Sequence, residues 1–210
     1  MINVVSIYRS LHVKFTSQKR INVIKASILN ILPKNEVFDS WLDVGTGDGV
    51  LMQQIYKSIE DRIMSLKGLD IRMCLDSLVP SAVYDGQRVP FFENSFYIVS
   101  FIDTLHHTHD IFSLLKEAKR VAKKYVLIKD VLYEKEWQLI SLRVQDWFGN
   151  VATGCPLVYN FLKKKQWQEV FERLGLKILV LRSSIEFKYL FPFNVLCPGC
   201  LHFICLLEAT

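Results

Sequence analysis

The stretch Trp41-Leu42-Asp43-Val44-Gly45-Thr46-Gly47-Asp48-Gly49 decides the fold of this chain. Its apolar start predicts a buried strand, and glycine at three alternate positions predicts a tight turn directly after it. Glycine adopts positive φ at little cost and lets a ligand approach the backbone closely. Asp48 is placed to cap a helix that begins near Gly49. The stretch therefore predicts a strand, a turn and a helix arranged around a nucleotide-sized ligand.

The charge and spacing of this stretch indicate which ligand it suits. Asp43 lies two residues before the first glycine, where a carboxylate repels a pyrophosphate but attracts a ligand that carries an ammonium and a sulfonium group. The dinucleotide pattern G-x-G-x-x-G is also broken, because Val50 stands where its last glycine should be. S-adenosylmethionine therefore fits better than NAD. The predicted contacts of this cofactor here are Asp43, Gly45, Thr46, Gly47 and Gly49.

Two further acids follow the next predicted strands. The segment Met64–Asp70 reads as a short strand that ends in an acid, and Asp70 is placed to accept hydrogen bonds from both ribose hydroxyls. The segment Ala82–Gly86 ends a third strand, and Asp85 could accept the adenine amino group. Each acid taken alone is equally compatible with a turn residue, but their order after consecutive strands supports the cofactor site. The predicted contacts in this part are Asp70, Ile71, Asp85 and Gly86.

Composition indicates one α/β domain that spans residues 1–210. Half of the 210 residues are apolar, which is enough for a core between layers of helices and a sheet. The net charge of +5 is modest, and its densest run is Lys163-Lys164-Lys165, which we interpret as the solvated start of a helix. The sequence carries no specific nucleic-acid signal.

Cysteine usage and hydropathy predict a cytoplasmic protein. Five cysteines are an odd number, which argues against a disulfide framework and favours a reducing compartment. The pair Cys197 and Cys200 has the C-x-x-C spacing of zinc and redox sites, but no second pair accompanies it, so no metal site is predicted. No signal peptide or transmembrane segment is expected. The apolar stretch Phe187–Leu207 leaves open a weak peripheral membrane contact.

Strand and helix signals alternate along the chain, which predicts a parallel sheet. Residues 1–33 are expected to form an N-terminal cap helix. Asp110 should cap another helix, and Gly175 should end a third in the left-handed conformation. Two strands near 177–181 and 202–207 then follow without a crossover helix. The expected fold is α/β and Rossmann-like, with a seven-stranded mostly parallel sheet, helices on both faces and an antiparallel C-terminal hairpin.

From Trp41 to about Phe101 the chain resembles the class I S-adenosylmethionine-dependent methyltransferases, in particular the type 11 group of small single-domain enzymes. The glycine stretch resembles the first motif of that family, and Tyr97 departs from it where an Asp is usual. The resemblance implies that Asp103 and Leu105 line the cofactor near its sulfonium. The other matching segments are Asp70, Asp85-Gly86-Gln87-Arg88-Val89-Pro90-Phe91, Asn94-Ser95-Phe96 and Asp103-Thr104-Leu105-His106-His107.

The resemblance implies an enzyme that transfers a methyl group by in-line displacement and releases S-adenosylhomocysteine. His106 is the first candidate for a catalytic base, although side chains of this loop often only shape the pocket. His107 and His109 are expected to serve as a packing residue and as part of a helix start. Asp130, the second catalytic candidate, could orient the acceptor or cap a helix that begins near Glu134.

The connection over residues 133–162 is predicted to be a substrate lid, because it concentrates polar and aromatic side chains in a long link. The alternative is that Trp147 and Tyr159 are buried as core. The candidate substrate residues are Arg143, Asp146, Trp147, Asn150, Tyr159 and Asn160.

The sequence thus predicts methyl transfer to oxygen, nitrogen or carbon of a small, partly apolar acceptor. Three alternatives stay open at this point. The first is a methyltransferase that acts on a macromolecule, either protein or RNA. The second is aminopropyl transfer from the decarboxylated cofactor. That reaction would require a pair of acids to bind a polyamine at the position of Thr104-Leu105-His106. The third is a non-catalytic module that binds S-adenosylmethionine, which the retained acids and glycines argue against. The oligomeric state is not predicted.

Overall fold

The computed structural model describes residues 4–150, 156–185, 187 and 199–209, except for the side chains of 4–17, 148, 149 and 199. Cys197 and most of the apolar stretch 187–207 lie outside these residues, as do residues 151–155 of the predicted lid. Within the described part of the chain, none of the helices combines the length and apolarity that crossing a membrane requires.

The described residues form an α/β structure in which strands and helices alternate. The elements, in chain order, are α1 (Val4–Ile31), β1 (Trp41–Val44), α2 (Val50–Ser58), β2 (Leu66–Asp70), β3 (Ser81–Val83), β4 (Phe96–Ile102), α3 (Ile111–Val121), β5 (Ala122–Tyr133), α4 (Glu136–Asn150), β6 (Leu162–Lys163), α5 (Lys164–Leu174), β7 (Lys177–Ser183) and β8 (His202–Glu208). Short 3₁₀ turns cover Leu105–His107 and Gly199–Leu201.

Among these strands, seven form one sheet in the order β3-β2-β1-β4-β5-β8-β7, and β6 pairs with the end of β5. The first five strands of that order run parallel, while β8 is antiparallel to both β5 and β7. The predicted fold class, including the antiparallel C-terminal pair, is therefore confirmed. Two apolar cores cover the sheet: one includes α3 and α5, and the other includes α1 and α2.

The predicted helix boundaries are set by the signals that the sequence contains. Asp110 accepts a hydrogen bond from the backbone N–H of Ser113 at 2.9 Å and so caps α3. Gly175 ends α5 with φ of 63°, the left-handed conformation that an L side chain disfavours. The structure adds two features. Strand β5 continues to Tyr133, five residues past its predicted end at Ile128, and the predicted lid contains a helix, α4, that runs to Asn150.

Because β1, β2, β4 and β5 are parallel, their carboxyl ends meet at one edge of the sheet. Open α/β sheets bind ligands outside this edge, at the point where the strand order reverses. Here the order reverses between β1 and β4. The glycine turn after β1 and the loop after β4 therefore lie side by side.

Candidate functional site

The turn after β1 is held to β2 by backbone hydrogen bonds. The N–H of Gly45 donates to the carbonyl of Leu69 at 2.6 Å, and the N–H of Gly47 donates to the carboxylate of Asp70 at 2.9 Å. All three glycines of the turn have positive φ, of 81°, 57° and 71° for Gly45, Gly47 and Gly49. The turn therefore needs glycine for its backbone shape, as the sequence predicted.

The glycines differ in what a side chain would meet. A Cβ at Gly45 would lie 2.3 Å from Oγ1 of Thr104, so this position is closed by the loop after β4. A Cβ at Gly47 would meet no atom of the described residues within 4 Å, and the residue is exposed. Open space beside a glycine that also has positive φ is a cradle that a ligand can fill. The turn thus fits a nucleoside ligand at Gly47.

The carboxyl group of Asp43 is buried below the turn. Ser100 donates to its Oδ1 at 2.5 Å, and the indole N–H of Trp41 donates in turn to Ser100 at 2.8 Å. Only 3% of Asp43 is exposed, and burial raises the pKa of its carboxyl group to about 7. A cation bound nearby would stabilise the carboxylate form.

The other two predicted acids lie in different surroundings. Asp70 is half-buried and accepts the N–H groups of Gly47 and Arg72 at 2.9 and 3.1 Å, which leaves lone pairs on both oxygens. Asp85 is exposed and accepts the N–H groups of Gln87 and Arg88, both at 2.8 Å. These hydrogen bonds lower the pKa of the Asp85 carboxyl group. Asp85 therefore stabilises a turn, and it stays a predicted contact of the cofactor. Ile71 lies beside Gly86, whose added Cβ would be 3.1 Å from Cγ2 of Ile71.

Asp103, at the end of β4, has two cationic partners. Arg20 of α1 donates to its Oδ2 at 2.6 Å, and the fully buried Lys129 of β5 donates to its Oδ1. Burial opposes ionisation, but these cations hold the pKa of Asp103 well below its usual range. Burial lowers the pKa of Lys129 to about 8 despite this partner. The sequence did not indicate this ion-pair cluster, so the contact of Asp103 with the cofactor stays a prediction.

Asp130 and His106 form a buried pair on the other face of β5. Asp130 accepts hydrogen bonds from His106 Nδ1 at 2.6 Å and from the backbone N–H of Leu105 at 2.9 Å. The carboxylate of Asp130 therefore holds the loop after β4 and orients the imidazole. It does not cap α4: Gln138 accepts the N–H groups of Glu134 and Lys135 instead, so the capping alternative was wrong.

His106 carries a proton at neutral pH in this arrangement. Burial opposes the charged form, but the contact with Asp130 outweighs it and raises the pKa of His106 to about 10. A protonated imidazole donates hydrogen bonds and does not accept a proton, which argues against the predicted role of His106 as a free base. Its ring also stacks on Phe161, with centroids 5.4 Å apart.

Asp146 of α4 joins this pair, together with His107. Its Oδ1 lies 3.6 Å from Nε2 of His106 and 3.5 Å from Nε2 of His107. His107 donates from Nδ1 to the carbonyl of Pro156 at 2.9 Å. Burial lowers the pKa of His107, as does the neighbouring His106. His107 was predicted to be only a packing or helix-start residue. Its position directly after His106 was the one sequence signal for its contact with Asp146.

The remaining candidates of the predicted lid differ in position. Asn160 holds its own segment against the loop after β4. Its backbone N–H donates to the carbonyl of His106 at 3.0 Å, and its side-chain amide donates to the carbonyl of Thr108 at 2.9 Å. Asn150 donates to Asp146 at 2.7 Å.

Trp147 is 47% exposed, so it is not core, whereas Tyr159 is partly buried against a small apolar cluster. Arg143 is exposed on α4.

The family of this chain is identified by comparing its sequence with models of known protein families. A family model described as "Methyltransferase domain" matches residues 16–181, which is most of the chain. A search of curated protein sequences finds no significant match.

Solved structures share the fold at low sequence identity. An S-adenosylmethionine-dependent methyltransferase from Aquifex aeolicus superposes with a TM-score of 0.59 at 16% identity, over 89% of each chain. Geranyl diphosphate C-methyltransferase from Streptomyces coelicolor A3(2), solved with Mg²⁺, geranyl diphosphate and S-adenosylhomocysteine, gives 0.65 at 11% identity, over 90% of this chain and 77% of that one. The protein bound to the Trm112 methyltransferase activator of Haloferax volcanii gives 0.65 at 15% identity, over 93% and 96%.

The family match covers the glycine turn, the strand-end acids and the loop after β4, and the fold around them is that of the solved methyltransferases. The chain therefore belongs to the methyltransferase-domain family and is an S-adenosylmethionine-dependent class I methyltransferase.

Proposed function

We propose that this enzyme methylates a small, partly apolar acceptor at oxygen, nitrogen or carbon. The observation that carries the proposal is the cover over the loop after β4. The segment that contains Pro156 and Asn160 is hydrogen-bonded to that loop, and α4 brings Asp146 against it. A loop that is covered by other segments of the same chain favours an acceptor small enough to fit beneath them.

The cofactor supplies a methyl group already activated on a sulfonium, which leaves as a neutral thioether when the acceptor attacks. The chain then has to align the two reactants and exclude water, and alignment alone can supply effective molarities on the order of 10⁵ M. In this proposal Asp70 holds the ribose and Gly47 makes room for the nucleoside. The full set of proposed cofactor contacts is Asp43, Gly45, Thr46, Gly47, Gly49, Asp70, Ile71, Asp85, Gly86, Asp103 and Leu105.

Asp43 makes cofactor binding depend on pH. Its carboxyl group is neutral well below a pKa of about 7 and negative above it. Only the negative form attracts the cofactor ammonium, so affinity for S-adenosylhomocysteine should rise with its ionised fraction, by up to ~25-fold between about pH 5.5 and about pH 7.5, where the amine stays largely charged. Titration calorimetry at several pH values measures this. Asp43→Asn should flatten the profile, and an equally steep profile in that variant would show that another group is responsible.

The acceptor side of the proposed site is formed by the loop after β4 and by α4. His106 and Asp130, the two catalytic candidates, act there as a fixed pair in which Asp130 positions the imidazole. Because His106 is protonated, we assign it a donor role toward the acceptor and not the removal of a proton. The proposed substrate contacts are Arg143, Asp146, Trp147, Asn150, Tyr159 and Asn160.

A metabolite screen tests the acceptor class. Purified enzyme is incubated with methyl-labelled S-adenosylmethionine and a cell extract divided into small-molecule and macromolecular fractions. We expect label in compounds of the small-molecule fraction, and none when Gly47→Val enzyme replaces the native one. Label that enters protein or RNA would contradict the proposal and support the macromolecular alternative.

We further propose that residues 133–162 act as a lid that tightens over bound ligand. Four large apolar side chains of α4 face solvent at positions 137, 140, 144 and 147, so this helix is only partly packed on the core. Weakly packed elements open at low free-energy cost and gain most from ligand. Hydrogen exchange with and without S-adenosylhomocysteine should therefore show more added protection in α4 than in β5. Exchange that is already slow in free α4 would instead mark it as part of the core.

A further inference from the structure

We propose that His106, His107 and Asp146 form a binding site for one first-row divalent metal ion, Zn²⁺ or a chemically similar cation. These residues come from two separate elements, the 3₁₀ turn after β4 and helix α4. Each offers one ligand atom, and the three atoms lie within 4.8 Å of one another. Two imidazoles and one carboxylate are a ligand set that such ions prefer.

The two separations between Asp146 and the imidazoles fit a metal ion. Bonds of ~2.0–2.1 Å in a tetrahedral arrangement put neighbouring ligand atoms ~3.4 Å apart. The two measured separations from Asp146 Oδ1 are 3.6 Å to His106 Nε2 and 3.5 Å to His107 Nε2. These distances are long for direct hydrogen bonds.

The outer nitrogen of each imidazole is already engaged. Nδ1 of His106 contacts the carboxylate of Asp130 at 2.6 Å, and Nδ1 of His107 donates to the carbonyl of Pro156 at 2.9 Å. Histidines that bind metals typically donate their other ring N–H to a carboxylate or a carbonyl in this way, because the bond fixes the tautomer and the ring orientation. Both Nε2 atoms are thereby directed toward Asp146.

A second, independent observation comes from the other oxygen of Asp146. Oδ2 is buried and has no hydrogen-bond partner among the residues that the structure describes, although only 5% of the side chain is exposed. An unpartnered buried carboxylate oxygen is costly, and a cation at the cluster would compensate it. With Asp130 behind His106, two carboxylates lie beside two imidazoles, an arrangement that favours a bound cation.

The ion would have room for further ligands. The described residues supply three ligand atoms at this place and no fourth His, Cys, Asp or Glu. The side chain of His107 is 13% exposed, so the cluster can be reached from outside. Open positions on a metal ion bind water or an oxygen-bearing molecule. If the proposed function holds, the bound ion would place such an oxygen of the acceptor near the methyl group, and it would then take the place of the hydrogen bond that Nε2 of His106 donates to the acceptor in the metal-free protein.

Zn²⁺ titration of chelator-treated, tag-free protein by calorimetry tests the site without cofactor or acceptor, so its result is independent of the proposed function. Co²⁺ absorption spectra report the coordination geometry. We expect one ion per chain, with affinity at least ~100-fold lower in His107→Gln and in Asp146→Asn, because removing a ligand costs more than the 10–100-fold typical of an outer partner.

His109→Gln is the matched control, since this neighbouring histidine is exposed and does not belong to the cluster. It should bind Zn²⁺ as the native protein does. Circular dichroism checks that each variant is folded, and His107→Gln decides the matter alone if Asp146→Asn unfolds. A native protein that binds no Zn²⁺, or equal affinity in His107→Gln and His109→Gln, would overturn the proposal.

Discussion

Replacing Gly47 with valine should abolish binding of S-adenosylmethionine while the domain stays folded. The backbone of Gly47 has φ of 57°, and an added Cβ points into space that is free of described atoms. We propose that the cofactor occupies this space, so the new side chain overlaps it directly. Affinity for S-adenosylhomocysteine should fall at least ~100-fold, or about 2.7 kcal/mol, in calorimetry.

The control separates ligand overlap from backbone strain. Gly175→Val introduces the same side chain at a similar φ of 63°, but at the end of α5, away from the glycine turn. Both variants should lose stability, by roughly 1–3 kcal/mol for a strained residue. Only Gly47→Val should lose binding. If both variants bind the cofactor normally, Gly47 does not line the site.

Replacing Asp103 with asparagine should destabilise the protein by about 3 kcal/mol, as expected when one partner of a buried ion pair is removed. The change leaves the charge of Lys129, which has no exposed surface, beside the cation of Arg20. Asparagine tolerates the positive φ of 53° at this position, so the loss should come from charge and not from strain. Urea unfolding measures it. Asp110→Asn is the control, because Asn caps α3 as well as Asp does.

The pH dependence of the stability loss should identify Lys129 as its cause. Its pKa in the folded protein is about 8, below the ordinary 10.5, so the unfolded chain binds more protons between these values and stability rises with pH across that window. Without the Asp103 charge the folded pKa falls further, and the window should extend below pH 8. A loss in Asp103→Asn that is constant with pH would mean that the carboxylate has another role.

The shape of the glycine turn and its contact with Asp70 could be predicted because their signals are local. Gly45, Gly47 and Gly49 are needed by one turn. Asp43 lies in β1 and Asp70 is the last residue of β2, and these two strands are neighbours in the sheet. Backbone geometry and strand order then bring these residues together without further information.

The contacts between the loop after β4 and α4 could not be predicted because they join distant segments of the chain. Asp146 was predicted only as one of several polar lid residues, and its approach to His107 depends on how α4 packs over β5. The role of Asp130 was also ambiguous, since the same acid could cap a helix or orient a side chain. Burial of Lys129 was unexpected, because lysine is rarely buried unless it is paired, and its partner Asp103 follows a different strand, β4.

Calorimetry with S-adenosylhomocysteine and with NAD, on the native protein and on Asp70→Ala, tests the central claim most directly. We expect the native protein to bind S-adenosylhomocysteine and not NAD. Loss of the two ribose hydrogen bonds should weaken binding by roughly 1.5–3 kcal/mol in the variant. Asp70→Asn keeps an oxygen that can accept the hydrogen bond from the Gly47 N–H. This variant therefore separates the effect of a disordered glycine turn from the effect of a lost ribose contact. Binding of NAD, or equal affinity for S-adenosylhomocysteine in native protein and Asp70→Ala, would contradict the assignment.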